Sequence, residues 1–126
     1  RDPAPFAAYL ELPEVAVVGN SPERFLRVEP SGRVESRPIK GTRPRGATAR
    51  ADEDLARALR SSAKDAAEHV MIVDLERNDL SRVCVPGSVH WPELMVPEPL
   101  AGVEHLVSTV EGRLRPGVVP VRRAVH

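Results

Sequence analysis

Residues 37–46 read Arg37-Pro38-Ile39-Lys40-Gly41-Thr42-Arg43-Pro44-Arg45-Gly46. Pro38 keeps Arg37 out of the helical region, so an extended run arrives here. Gly41 is the residue type that lets a backbone take φ > 0 or approach a ligand closely. Thr42 adds a hydroxyl. Three arginines surround Lys40, and a lysine with cationic neighbours beside a tight glycine turn can act as a nucleophile. The same ten residues also describe a solvated hairpin tip, and they leave both readings open.

On the N-terminal side the pattern is that of strands and turns. Residues 7–12 alternate as a strand, and Pro13 breaks it because it has no amide hydrogen to offer. Val15 to Val18 fits a short buried strand, and Gly19-Asn20-Ser21-Pro22 is turn chemistry. Phe25 to Glu29 alternates again, Pro30-Ser31-Gly32 turns, and Arg33 to Ile39 is a fourth strand. The first third therefore reads as an antiparallel meander.

On the C-terminal side, Gly41 to Ala51 reads as a loop, and Asp52 is placed to cap a helix. Leu55, Ala56, Leu59 and Ala63 have helical spacing. The pattern continues through Ala66, Val70, Val73, Met71 and Leu75, as one long helix or two with a break near Ser61-Ser62. Pro86-Gly87 ends it. Val89 to Val96 reads as an edge strand containing Pro92, with Pro97 and Pro99 as a stiff connector. Val103 to Leu114 is the last strand. The expected class is α+β, mainly antiparallel sheet with one or two covering helices.

The 126 residues carry 18 basic and 18 acidic side chains, a balance that argues against a general nucleic-acid binder. Cys84 is the one cysteine, which excludes an internal disulfide and suits a reducing compartment such as the cytoplasm. No apolar run is long enough for a membrane helix, and no secretory signal is expected. The start at Arg1, the unfinished end at His126 and the 3% aromatic content read as a piece of something larger.

Four groups could carry chemistry. Asp65 and Glu68 lie at i and i+3 on one helix face, where a divalent cation could join them. On spacing alone, a solvated face beside Arg60 and Lys64 is the better reading. Asp74 sits where the pattern expects burial, with Arg77 and Asn78 as partners for a structural network. Glu23 starts a strand and can be a general acid if desolvated, or an exposed ion pair with Arg24. His105 alternates with Val103 and Val107, the usual setting of a satisfied structural histidine. Cys84 reads as packing.

Taken together, five blocks resemble the chorismate-utilising enzymes: Asp2-Pro3-Ala4-Pro5-Phe6, Ser21-Pro22-Glu23-Arg24-Phe25, residues 38–46, residues 68–80 (Glu68-His69-Val70-Met71-Ile72-Val73-Asp74-Leu75-Glu76-Arg77-Asn78-Asp79-Leu80), and His105-Leu106-Val107-Ser108. Their order makes the resemblance specific. It implies that residues 1–126 are part of a chorismate-binding catalytic domain whose C-terminal part is absent. Beyond Arg122-Arg123-Ala124, family members continue into a Gly-rich stretch and a glutamate-rich helix. Those supply carboxylate-binding groups and a further metal ligand.

The resemblance also implies roles. Lysine at position 40 marks the aminodeoxychorismate synthase component I branch, whereas anthranilate synthases carry alanine there. In that branch the lysine attacks C2 of chorismate as the C4 hydroxyl leaves, and ammonia then adds at C4 and expels it. Lys40 would be the nucleophile and Glu23 the acid that protonates the departing hydroxyl. Gly41, Thr42 and His105 would contact substrate, Glu68 would bind Mg2+, and Asp65 would stand near it. A glutamine amidotransferase, fused or separate, would supply the ammonia. The product would be 4-amino-4-deoxychorismate, for para-aminobenzoate and folate synthesis. Residues 2–6 and the following strand resemble part of a regulatory tryptophan pocket. The alternatives are an anthranilate synthase, or a non-catalytic fragment or binding module of this fold.

Overall fold

In a computed structural model describing residues 4–118, β1 (Phe6–Glu11) and β2 (Ala16–Ser21) form an antiparallel hairpin. β3 (Arg24–Val28), β4 (Arg33–Arg37) and β5 (Ile39–Pro44) follow. Two helices, α1 (Ala49–Arg60) and α2 (Ala63–Val83), precede β6 (His90–Leu100) and β7 (Val103–Arg113). The second sheet has five strands organised on β7, which pairs with β4, β5 and β6, while β3 extends it beyond β4. The α+β class with an antiparallel sheet and two helices is as expected. The meander is not continuous, because β1–β2 and β3–β4 belong to different sheets.

The stretch around Lys40 is sheet rather than loop. β4 and β5 run along the same edge of β7 with one register: Ser36 opposes Val110 and Ile39 opposes Val107. Pro38 interrupts the strand without shifting it. Its carbonyl accepts from the Ser108 amide at 3.1 Å, which a residue lacking an N–H can still do. The register then slips. Thr42 opposes His105, so three residues of β5 advance against two of β7. Gly41 sits in this bulge at φ +87°, a backbone region that favours glycine. Arginine and proline chemistry reads as loop locally, but pairing with β7 decides the strand.

Helix ends differ from the sequence reading in a physical way. Thr48, not Asp52, is the N-cap of α1, its hydroxyl accepting from the Ala51 amide at 3.2 Å. The Asp52 carboxylate is committed to the Arg45 guanidinium and to the Gly46 amide, the latter at 2.8 Å. The break falls at Ser61-Ser62, and Ser62 caps α2. α2 stops at Val83, before Pro86-Gly87, because Cys84 turns extended and bridges Leu114. β6 continues through Pro97 and Pro99, which its edge position tolerates.

The face that α2 turns inward also differs. Val70, Met71 and Leu75 are 50%, 62% and 54% exposed, whereas His69, Val73 and Leu80 are buried. Asp74 is exposed and pairs with Arg77 at 2.7 Å, so it forms no buried network. The core under α2 is Val34, Val73, Leu80, Cys84 and Val110. Cys84 is packing, as read. A Cβ on Gly112 would come within 2.7 Å of its sulfur, so β7 needs a glycine there. No helix of the described residues is long and apolar enough to cross a membrane.

Candidate active site

The bulge aims Lys40 and is held from beneath. His69 is fully buried on α2, with Nδ1 3.1 Å from the Lys40 carbonyl and Nε2 2.7 Å from the Ser108 hydroxyl. A carbonyl only accepts, so Nδ1 carries the hydrogen. Ser108 accepts from the Met95 amide at 2.9 Å and has its own hydrogen free for Nε2. Burial pushes His69 below the ordinary histidine range, which keeps the ring neutral for this double role. Gly41 closes the other side. A Cβ there would stand 3.0 Å from Leu59 Cδ1 and 3.2 Å from Asp65 Cβ.

Lys40 and Glu23 line one open cleft of about 340 Å³, together with Arg24, Ile72 and Glu76. Glu23 does not pair with Arg24. Its Oε1 accepts from the Ile39 amide at 2.8 Å, one residue before Lys40. Arg24 is held instead by Glu35 at 2.5 Å and lies over the Phe6 ring. The structure thus joins the two residues assigned to nucleophile and acid. Lys40 has no ion-pair partner among the described residues.

Thr42 and His105 form a pair, Oγ1 to Nδ1 at 2.7 Å. His105 is buried and lines a neighbouring cleft of about 360 Å³ with Asn20, Pro22 and Val103. Burial lowers its pKa, while Glu98 and then Glu23 act in the opposite direction. His105 is therefore both a satisfied buried histidine and a cleft wall.

The two acidic residues of α2 are not brought together as a pair of ligands. Asp65 accepts from Arg43 at 2.8 Å and is held below the usual carboxylate range, chiefly by the Ser62 hydroxyl and then by Arg43. Glu68 is exposed, with Lys64 at a loose 3.7 Å. Among the described residues no three acidic, histidine or cysteine side chains gather at a metal-binding distance. Glu68 fits a magnesium site that takes one carboxylate plus waters and substrate oxygens. Asp65 fits an outer position, because Arg43 already occupies its carboxylate.

Two residues at this site, His69 and Glu76, went unassigned in the sequence. Their spacing with Val73 and Leu80 is helical, but both are polar and the eye follows the apolar stripe beside them. Asp2 and Pro3 of the tryptophan-pocket segment, and Arg122-Arg123-Ala124, lie outside the described residues.

Comparison with known proteins bears on the same residues. The chain is 55% identical over 112 residues to an aminodeoxychorismate synthase from Streptomyces pristinaespiralis, covering 89% of this chain and 16% of that protein. It is 50% identical over 114 residues to anthranilate synthase component 1 of Saccharolobus solfataricus, covering 90% of this chain and 27% of that one. The crystal structure of anthranilate synthase component I from Streptococcus pneumoniae TIGR4 superposes with a TM-score of 0.76 at 35% identity, over 91% of this chain and 24% of that one. The chain thus spans about a sixth to a quarter of the length of these proteins. Residues 1–123 match the family described as chorismate binding enzyme. With the match running through both clefts and the bulge between them, the chain belongs to the chorismate binding enzyme family.

Proposed function

We propose that the protein aminates chorismate at C4, as an aminodeoxychorismate synthase component I does, through a covalent intermediate on Lys40. The observation that supports this reading is an unpaired lysine on a rigid bulge, in one cleft with a glutamate anchored a residue away. Neutral Lys40 forms a bond to C2 as the C4–O bond breaks, and Glu23 gives its proton to the departing hydroxyl, which leaves as water. Ammonia then bonds to C4, the C2–Nζ bond breaks, and the amine is restored. His105 would meet the substrate from the second cleft, with Thr42 hydrogen-bonded to its ring. Glu68 would hold magnesium, which when bound offsets the charge of a substrate carboxylate. A glutamine amidotransferase component supplying ammonia is part of the same proposal.

The test uses the full-length protein with chorismate and magnesium but no ammonia. The first displacement needs no ammonia, so an adduct accumulates, and peptide mass spectrometry finds it on the segment bearing Lys40. Lys40→Ala abolishes it, and Lys40→Arg does not restore it, because a guanidinium stays protonated. Wild-type amination by Lys40→Ala with no adduct would sink the mechanism. A second reading, anthranilate synthesis, is favoured by the 50% identity to an anthranilate synthase component. Product analysis separates the two, since only that reaction yields an aromatic ortho-amino acid directly.

For the metal, Glu68→Ala is expected to remove most magnesium-dependent activity. Asp65→Ala should act less, on the order of 10-fold in metal affinity, as an outer partner does. Unchanged magnesium dependence in Glu68→Ala would return the pair to a solvated helix face.

A further inference from the structure

Glu76 is the polar group at this site that the proposed chemistry leaves unused. It lies on α2 seven residues, two turns, beyond His69 and on the same inward face. Its carboxylate lines the cleft of Lys40 and Glu23. Its Oε2 is buried and has no hydrogen-bond partner among the described residues. An unpartnered buried carboxylate oxygen is costly unless a proton or a cation satisfies it. The charged groups facing it are Glu23 from the start of β3, Arg24 on β3 and Lys40 on β5. Arg24 is already paired with Glu35. The neighbouring Ser36 hydroxyl on β4 donates to the Phe25 carbonyl at 2.7 Å. Lys40 is the one of these cations left without a partner, it is not ion-paired with Glu76 at rest, and Oε2 of Glu76 is the carboxylate oxygen left without a proton donor.

We propose that Glu76 is the proton-holding partner of Lys40, taking a proton from its ammonium so that the neutral amine can attack. This inference rests on the Lys40 reading above. The transfer is balanced within the protein: the Nζ–H bond breaks, an O–H bond forms on Glu76, and the pair keeps one proton throughout. When ammonia expels the lysine, the proton returns to Nζ. Burial raises the Glu76 pKa above the ordinary carboxylate range, with Glu23 adding to it and the Ser36 hydroxyl and Lys40 opposing, which brings acceptor and donor closer in affinity. Glu76 acts through Lys40 and is a positioning group for its proton, distinct from the acid role of Glu23.

A shared proton has a kinetic signature. Between the two macroscopic pKa values of a coupled pair, the proton count is constant, so the fraction of neutral lysine does not change with pH. In the full-length wild-type protein, the rate of ammonia-free adduct formation on Lys40 is therefore expected to follow pH only through the proton on Glu23. The ratio of the Glu76→Gln rate to the wild-type rate should then rise about tenfold per pH unit up to the lysine pKa, because the Glu23 dependence cancels and the variant's lysine titrates as a lone amine. A variant profile parallel to the wild-type profile would overturn the proposal while leaving the Lys40 adduct intact. Absence of any adduct in wild type would instead overturn the nucleophile reading. Labelling of Lys40 by acetic anhydride against pH then tests the pair by itself. A lower apparent lysine pKa in Glu76→Gln supports the pairing, and an unchanged value overturns it.

Discussion

His69 has its two ring nitrogens committed in opposite directions, one to β5 and one to β7. This makes it the post on which the Lys40 bulge rests. An apolar side chain of similar size would leave the Ser108 hydrogen and the Lys40 carbonyl unmet, a cost of about 1–3 kcal/mol each for a buried group. His105 makes one side-chain hydrogen bond among the described residues, to Thr42. Burial holds it below the ordinary histidine value of 6.5, with Glu98 and Glu23 opposing. The unfolded chain therefore binds this proton first. The contribution of His105 to stability is full above about pH 6.5 and is lost as pH falls through the lower folded value. Denaturation of the full-length protein across this window should show a pH slope that His105→Gln reduces. Equal slopes would mean that another group is responsible.

At the level of elements, the β1–β2 hairpin is the least supported part. Among the described residues it pairs with no third strand, and a two-stranded sheet is marginal in water. Tyr9, Leu10 and Val18 on it are 62%, 60% and 76% exposed. Backbone amides of β1 and β2 are expected to exchange with deuterium at least tenfold faster than those of β7, whose residues 105–110 are all buried. Comparable protection would show that something else covers the hairpin. Strand alternation and turn residues made most of these elements readable in the sequence, and Ser61-Ser62 marked the place for a break while leaving one long helix open. The facing of α2 was not readable. Periodicity counts apolar side chains, and it points to Val70, Met71 and Leu75. The inward face is set instead by hydrogen bonds to Lys40 and Ser108, 29 and 39 residues away in the chain. Residues 41–44 were read as loop for a related reason, since their strand state depends on β7.

For the whole molecule, the exposed apolar side chains are the main physical fact. Phe25 is 86% exposed and Met71 62%, and they sit on separate elements of the site-bearing half. The 126 residues by themselves are expected to bind a hydrophobic dye strongly and to convert no chorismate with magnesium and ammonium above a no-protein control. Turnover by the isolated chain would show that the site is sufficient as it stands. The register across Pro38 carries a different consequence, for how sequences of this kind can vary in length. Lys40 takes its position from β7, and Glu23 takes its position from the Arg24–Arg37 pairing and the Ile39 amide. The turn at residues 29–32 lies between them in the chain but fixes neither. An extra or missing residue in that turn would be absorbed at the hairpin tip, whereas the same change between Ile39 and Thr42 would carry the lysine out of its cleft.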